Sequence, residues 1–224
     1  MRIGLLTAAS AVIGLVVFGA LVFVPAGTFD YWQGWAFMVV FAVTTLIPSR
    51  YLAVHDPDAL RRRMRAGPAA ETRPLQKIAS TLAFTFLAAM IIVSVLDHRF
   101  GWSVVPAWLS VLGNALVAAG LGIAMLVVSQ NSYAAANVIV ESGQAVVTTG
   151  LYRLVRHPMY AGNVIMMVGI PPALGSYWGL LFMIPGMAIL AMRIVDEEQL
   201  LRTELDGYDE YTHEVRYRLL PHVW

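Results

Sequence analysis

Long apolar stretches alternate with short polar ones along this chain, and their lengths set the architecture. Predominantly apolar runs cover residues 3–24, 35–53, 78–96 and 104–129. A helix rises 1.5 Å per residue, so runs of about 20 residues match a hydrocarbon core of ~30 Å. Two shorter runs follow, 159–174 and 178–194, joined by Pro171, Pro172, Gly175 and Ser176, residues that break a helix and turn the chain back. They predict a helical hairpin whose first arm, ~24 Å long, crosses a thinned bilayer or stops short of the far side. The pattern predicts an all-α fold: a polytopic membrane bundle of about six helices with a C-terminal helical hairpin and a cytoplasmic C-terminal tail. Residues 1–129 form a four-helix membrane region, and 130–224 hold the hairpin and tail. The first run also has a signal-peptide reading, because Val24, Pro25 and Ala26 resemble a small-residue cleavage site. Its length exceeds an ordinary h-region of ~7–15 residues and favours a retained helix.

Composition agrees with the pattern and narrows the chemistry. The chain is 58% hydrophobic and 13% charged, with a mean hydropathy of +0.68, which excludes an ordinary soluble domain. It contains no cysteine, so disulfides, thiolate metal sites and a cysteine nucleophile are excluded together. No metal site and no nucleic-acid partner are expected, and oligomeric state is left open. With six crossings, Arg2, Arg50, the group from Arg61 to Lys77, Arg153, Arg156, Arg193, Arg202, Arg216 and Arg218 fall on one side and Arg99 on the other. The positive-inside rule then predicts an integral protein with both termini cytoplasmic, as in a prokaryotic inner membrane.

Between the second and third runs, Asp56, Pro57 and Asp58 supply an N-cap and a proline for the first helical position. Leu60 and Met64, four apart among Arg61, Arg62, Arg63 and Arg65, predict a short helix lying on the membrane surface and attracted to anionic lipid. In the fourth run Ala115, Ala118, Ala119, Gly120, Gly122 and Ala124 predict small-residue packing faces, and Asn114 a polar contact to a neighbouring helix.

The candidate chemistry clusters where the polar segments meet the membrane. Gly150 permits a turn and Pro158 suits the first position of the helix from 159 onward. Arg156 and His157 therefore stand at a helix N-terminus, where unpaired N–H groups and the helix dipole favour a carboxylate or phosphate. At the end of the last run Arg193 can pair with Glu197, and Glu198 with Arg202, each four apart. Glu197 and Glu198, about 100° apart around a helix, cannot both enter one pocket without distortion. Tyr208, Tyr211, Val215, Arg216 and Arg218 predict a continued, partly amphipathic helix ending before Pro221.

Gln144, Gly150, Tyr152, Arg153, Arg156, His157, Pro158, Tyr160 and Gly162, followed by Arg193, Ile194, Glu197, Glu198, Leu200, Tyr208, Tyr211, Arg218 and Pro221, resemble the isoprenylcysteine carboxyl methyltransferase family of integral membrane enzymes. The likeness covers residues 131–224 and includes Asn131, Ser132, Tyr133, Glu141 and Gly143 in the irregular connector. It implies a cofactor, S-adenosylmethionine, and methyl transfer to a lipophilic acceptor, a carboxylate or an amine, beside membrane lipid.

Arg156 or His157 suits the cofactor's carboxylate, and Glu197 or Glu198 its ammonium or ribose. Tyr160, Tyr208 or Tyr211 suits the adenine or the cation, with Pro158 shaping the turn. The resemblance further implies that the tail folds over the cofactor with an arginine, Arg216, near the acceptor. Catalytic roles then fall to Arg216, Glu197 and Glu198. A competing likeness is to NADPH-dependent sterol or steroid reductases, which usually carry asparagine after the proline and glutamate after the glycine, where this chain has Met159 and Asn163. A third reading is a noncatalytic membrane protein that retains the fold.

Overall fold

The structure, a computed structural model, describes residues 2–134, 137–140 and 143–224, with side chains described from Val12 onward. Glu141, one of the connector residues in the family likeness, lies outside the described residues. Among the described residues six long α-helices and two short ones make up the fold: α1 (Arg2–Ala26), α2 (Trp32–His55), α3 (Pro57–Met64), α4 (Pro74–Phe100), α5 (Ala107–Gln130), α6 (Pro158–Ala173), α7 (Met183–Glu204) and α8 (Tyr208–Glu214). No strand occurs among the described residues.

Among the described residues, four segments are long and apolar enough to cross a membrane: α2, α4, α5, and α7 with the 3₁₀ turn Trp178–Phe182 that leads into it. Helix α1 runs 25 residues beside α2 and α4. Helix α6, at 16 residues, is the short hairpin arm. Side chains such as Val39, Ile47, Ile78, Val111, Leu126 and Ile184 are exposed around the bundle. An apolar exterior of this kind is what a bilayer covers. Trp32, Trp35, Trp102, Trp108 and Trp178 are all exposed at helix ends on one face, the interfacial position that amphipathic rings favour. The arginine-rich segments and the C-terminal tail lie at the opposite ends of the helices.

Helix ends follow local chemistry. Pro74 occupies the first turn of α4, four residues ahead of the apolar run, and Gly101 closes that helix in the left-handed region at φ 66°. Asp97, fully buried near this end, accepts hydrogen bonds from the Ser176 and Ser103 hydroxyls. The hairpin loop is thereby tied to α4. At the other face Asp56 caps α3 by accepting from the Ala59 amide at 2.9 Å. Helix α3 buries Ala59 and Leu60 against Leu52 and Val128, whereas Met64 is 46% exposed.

Antiparallel α5 and α6 pack at backbone distance. A Cβ on Gly169 would lie 2.6 Å from the Gly113 carbonyl oxygen, and one on Gly162 would lie 2.8 Å from that of Gly120. Two glycines seven apart on each helix therefore build the contact. Of the small residues expected to pack, Gly120 and Ala124 are buried, while Ala115, Ala119 and Gly122 face outward. Asn114 donates to the Ser110 carbonyl of its own helix at 2.9 Å, not to a neighbour. Gly120→Val is expected to force α5 and α6 apart and lower stability by about 1–3 kcal/mol. A thermal melt in detergent checks this, with Gly122→Val, which meets open space, as the unaffected control.

The last run departs most from expectation. Helix α7 continues to Glu204, beyond the apolar residues, and Gly207 at φ 83° turns the chain into α8. Helix α8 stops at Glu214, so the single amphipathic helix expected through Arg218 is not formed. Residues 215–218 instead run along the start of α6, where their carbonyls find donors.

Candidate active site

The turn before α6 is built by a left-handed glycine packed on a glutamine that bonds the next amide. Gly150 adopts φ 61° against the side chain of Gln130, which accepts from the Leu151 amide at 2.9 Å. A 3₁₀ turn at Gly150–Arg153 brings Arg156 and His157 to the mouth of α6, with Pro158 in its first turn. Their amides are not open to a ligand: Arg156 donates to the Tyr217 carbonyl and His157 to the Arg218 carbonyl, both at 2.9 Å. The tail is thus stitched to the helix mouth.

The anion expected at this helix start is supplied by the protein itself. Glu198 accepts from Arg156 Nε at 2.7 Å, from His157 Nε2 at 3.2 Å, and from Arg218 Nε and Nη2 at 3.0 and 2.9 Å. Arg156 Nη1 also reaches the Val215 and Arg216 carbonyls. Arg156, His157 and Glu198 are all buried, so the Arg156–Glu198 ion pair depends on these bonds for what water would have provided. The expected i,i+4 pairs do not form: Arg202 bonds Asp209, while Arg193 bonds Glu71 and the Tyr160 hydroxyl. Arg193 finds its carboxylate buried across the fold, whereas Arg202 and Asp209 form an exposed surface pair.

Glu197, one position along α7, points the other way as the helical rotation requires. It lines a cavity of about 110 Å³ together with His157, Tyr160, Tyr152, Tyr208 and Tyr211, with Tyr133, Asn137, Val138 and Val146 of the connector on the facing side. Glu197 accepts from the Tyr160 hydroxyl at 2.6 Å, and His157 Nδ1 lies 3.9 Å from it. Arg156, Pro158 and Gln144 also line this space. Glu198 stands behind the wall, bonded to its cations. Arg216 gives only its carbonyl; its side chain is exposed and borders a separate groove with Arg153 and Pro221. Arg218 is the tail arginine whose side chain meets the buried carboxylate.

The tyrosines enclose the cavity as neutral rings. Burial pushes the Tyr152 phenol up to about 12 against the lowering bond from Asn131, with Glu197 adding to the rise. Burial raises Tyr208 and Tyr211 also, reinforced by the Glu198 carboxylate at Tyr208 and by Tyr152 at Tyr211. Tyr211 donates to the Tyr152 carbonyl at 2.6 Å. Tyr208, 4% exposed, has no partner for its hydroxyl among the described residues. A buried hydroxyl without a partner costs stability unless a bound group completes it.

Four residues of the site lay outside the sequence reading. Glu71, buried before α4, accepts from Arg193 at 2.6 Å and from the Val138 amide of the connector at 3.1 Å. Gln76 bonds the Arg193 carbonyl and Asp196, and Arg73 also bonds Asp196. Through Arg193 and Tyr160 this network reaches Glu197. Its one signal in the sequence is an acid, Glu71, among the basic residues of the segment from Arg61 to Lys77.

The residues of the cavity fit the chemistry of S-adenosylmethionine. An acid, a histidine and a donor-acceptor hydroxyl face the space, and aromatic rings suit an adenine or a cation. Its volume is below the ~300–1,000 Å³ of most small-molecule sites, so a ligand of that size needs the space to open further. The family model described as phospholipid methyltransferase matches residues 108–205, the span from α5 through α7 that carries the glycine contact, the arginine-histidine turn and both glutamates. This similarity supports a membrane methyltransferase acting on lipophilic molecules. No curated protein matches the chain.

Proposed function

We propose that the protein transfers a methyl group from S-adenosylmethionine to a lipophilic acceptor at the charged face of the membrane, with that face cytoplasmic. The observation that carries the proposal is the joint construction of one cavity by the turn before α6, the end of α7 and α8, with the Tyr208 hydroxyl unpartnered at its wall. The match to the phospholipid methyltransferase family model over residues 108–205, which takes in the turn before α6 and the end of α7 and stops before α8, supports it.

In this reading Glu197 and the Tyr208 hydroxyl hold the cofactor's ammonium or ribose, and His157 at the start of α6 holds its carboxylate. Tyr152 and Tyr211 flank the adenine. Arg156 and Glu198 act on the ligand through the backbone they fix. When bound, the cofactor supplies a methyl carbon already activated by a positive sulfur. The protein's task is alignment of the acceptor and exclusion of water. Helix α8 and the described connector residues line the cavity and limit its contact with solvent. For an amine acceptor, Glu197 stands at the cavity to take the proton released; for a carboxylate no base is needed.

Tyr208→Phe removes the unpartnered hydroxyl and keeps the ring. It is expected to weaken S-adenosylmethionine binding about 5- to 10-fold while leaving the melting temperature unchanged or raised. Equilibrium binding to the purified protein in detergent checks this, and equal affinity in the variant would remove Tyr208 from the ligand site.

A further inference from the structure

Among the described residues four carboxylates gather at the end of α7, those of Glu71, Asp196, Glu197 and Glu198, and their partners differ in kind. Glu198 takes Arg156 and Arg218, Asp196 takes Arg73, and Glu71, reaching in from the segment before α4, takes Arg193 at 2.6 Å. Glu197 accepts from a neutral group, the Tyr160 hydroxyl at 2.6 Å, with the His157 ring 3.9 Å away. Its charge is left facing the cavity.

The helix by itself favours a different pairing. Arg193 precedes Glu197 by four residues, a spacing that lets the two meet on one helix face. Arg193 Nε already donates to the Tyr160 hydroxyl at 2.9 Å, so a single hydroxyl separates the guanidinium from Glu197. Glu71 draws that guanidinium the other way. Its side chain is fully buried and that of Arg193 is 8% exposed, and a buried pair of this kind holds because either charge alone would be stranded. Glu71 is itself fixed, accepting the Val138 amide with its second oxygen at 3.1 Å. Gln76 bonds the Arg193 carbonyl and Asp196, which steadies the same turn of α7. Glu71 and Gln76 both lie outside residues 108–205, the span of the family match.

We infer that Glu71 is a positioning residue that keeps Arg193 off Glu197 and so reserves the Glu197 carboxylate for a cationic group in the cavity. The inference rests on the methyl-transfer reading, with the cofactor's ammonium as the group that Glu197 holds. Glu71 does not line the cavity; it acts through Arg193 and Tyr160. Without its charge, Arg193 stays buried, and the acid four positions along its own helix becomes its partner. Glu197 is then neutralised from within the protein, and the ligand's cation loses its counter-charge.

The test measures equilibrium binding of S-adenosylmethionine to the full chain in detergent, in the parent and in E71Q, E197Q, E71Q/E197Q and E71Q/R193Q. E71Q keeps the shape and removes the charge, and is expected to weaken binding about 5- to 10-fold. In the E197Q background the same substitution is expected to change affinity less than about twofold, because the carboxylate it protects is gone. E71Q/R193Q removes both members of the pair and is expected to return affinity to within about threefold of the parent. A Glu71 that only supports the fold gives an equal loss in both backgrounds and no recovery in E71Q/R193Q, and either result overturns the assignment. If E71Q is isolated unfolded, E71Q/R193Q decides: affinity near the parent's upholds the assignment, and affinity as low as that of E197Q overturns it. A parent that binds S-adenosylmethionine alongside an E71Q that binds it equally well overturns this inference alone, whereas a parent that does not bind it overturns the methyl-transfer reading and this inference with it.

Discussion

Glu198→Ala is expected to release the C-terminal tail from the mouth of α6 and to cost about 3–5 kcal/mol of stability, the range for removing one partner of a buried ion pair. The loss exceeds that of one bond because Arg156, His157 and Arg218 all donate to this carboxylate. Its removal leaves Arg156 buried with two carbonyls and no counter-charge. The amide bonds from Arg156 and His157 to the Tyr217 and Arg218 carbonyls then lose the anchor that presents them. Protease accessibility of residues 215–224, measured with a detergent melt, reads both effects. Glu198→Gln, which keeps two polar atoms in the same place, is expected to fall between parent and alanine variant. A tail as protected in the alanine variant as in the parent would show that Glu198 does not anchor it.

The second large effect is of the opposite kind. Glu197→Gln is expected to weaken S-adenosylmethionine binding by about 10- to 100-fold, the range for losing a charged hydrogen bond, with little change in melting temperature. Glu197 is partly exposed to the cavity, with 21% of its side chain accessible, and it accepts one bond, from Tyr160. An amide preserves that acceptor while removing the charge that a cofactor ammonium would need. Adjacent glutamates on one helix are thus predicted to separate cleanly, Glu198 governing fold and Glu197 governing ligand. A stability loss without a binding loss in Glu197→Gln would reverse these roles.

Helix number, the hairpin and the gathering of charge at one face were legible because hydropathy and proline-glycine punctuation are local properties of the chain. The rotation between Glu197 and Glu198 was legible for the same reason, since 100° per residue holds wherever the helix lies. Long-range partners were not legible. The i,i+4 rule paired Glu198 with Arg202, but burial made Arg156 and Arg218, 42 and 20 residues away, the partners. The tail showed the same limit, because hydrogen bonds to the α6 mouth replaced the helix that local periodicity predicted beyond Glu214. Likewise α5 and α6 meet through Gly113 and Gly120, while the more conspicuous run of alanines around Ala115 and Ala119 faces outward. Small residues mark where helices can approach, and only the neighbour's surface decides which of them do.

The most direct test of methyl-donor binding at this cavity is calorimetric titration of the detergent-purified protein with S-adenosylmethionine, its demethylated product and NADPH, repeated on His157→Ala and Glu197→Ala. Saturable binding of the first two ligands, abolished or strongly weakened in folded samples of both variants, is the predicted result. Saturation by NADPH alone would contradict it in favour of a reductase, and saturation by none of the three in a folded sample would contradict it in favour of a noncatalytic membrane protein.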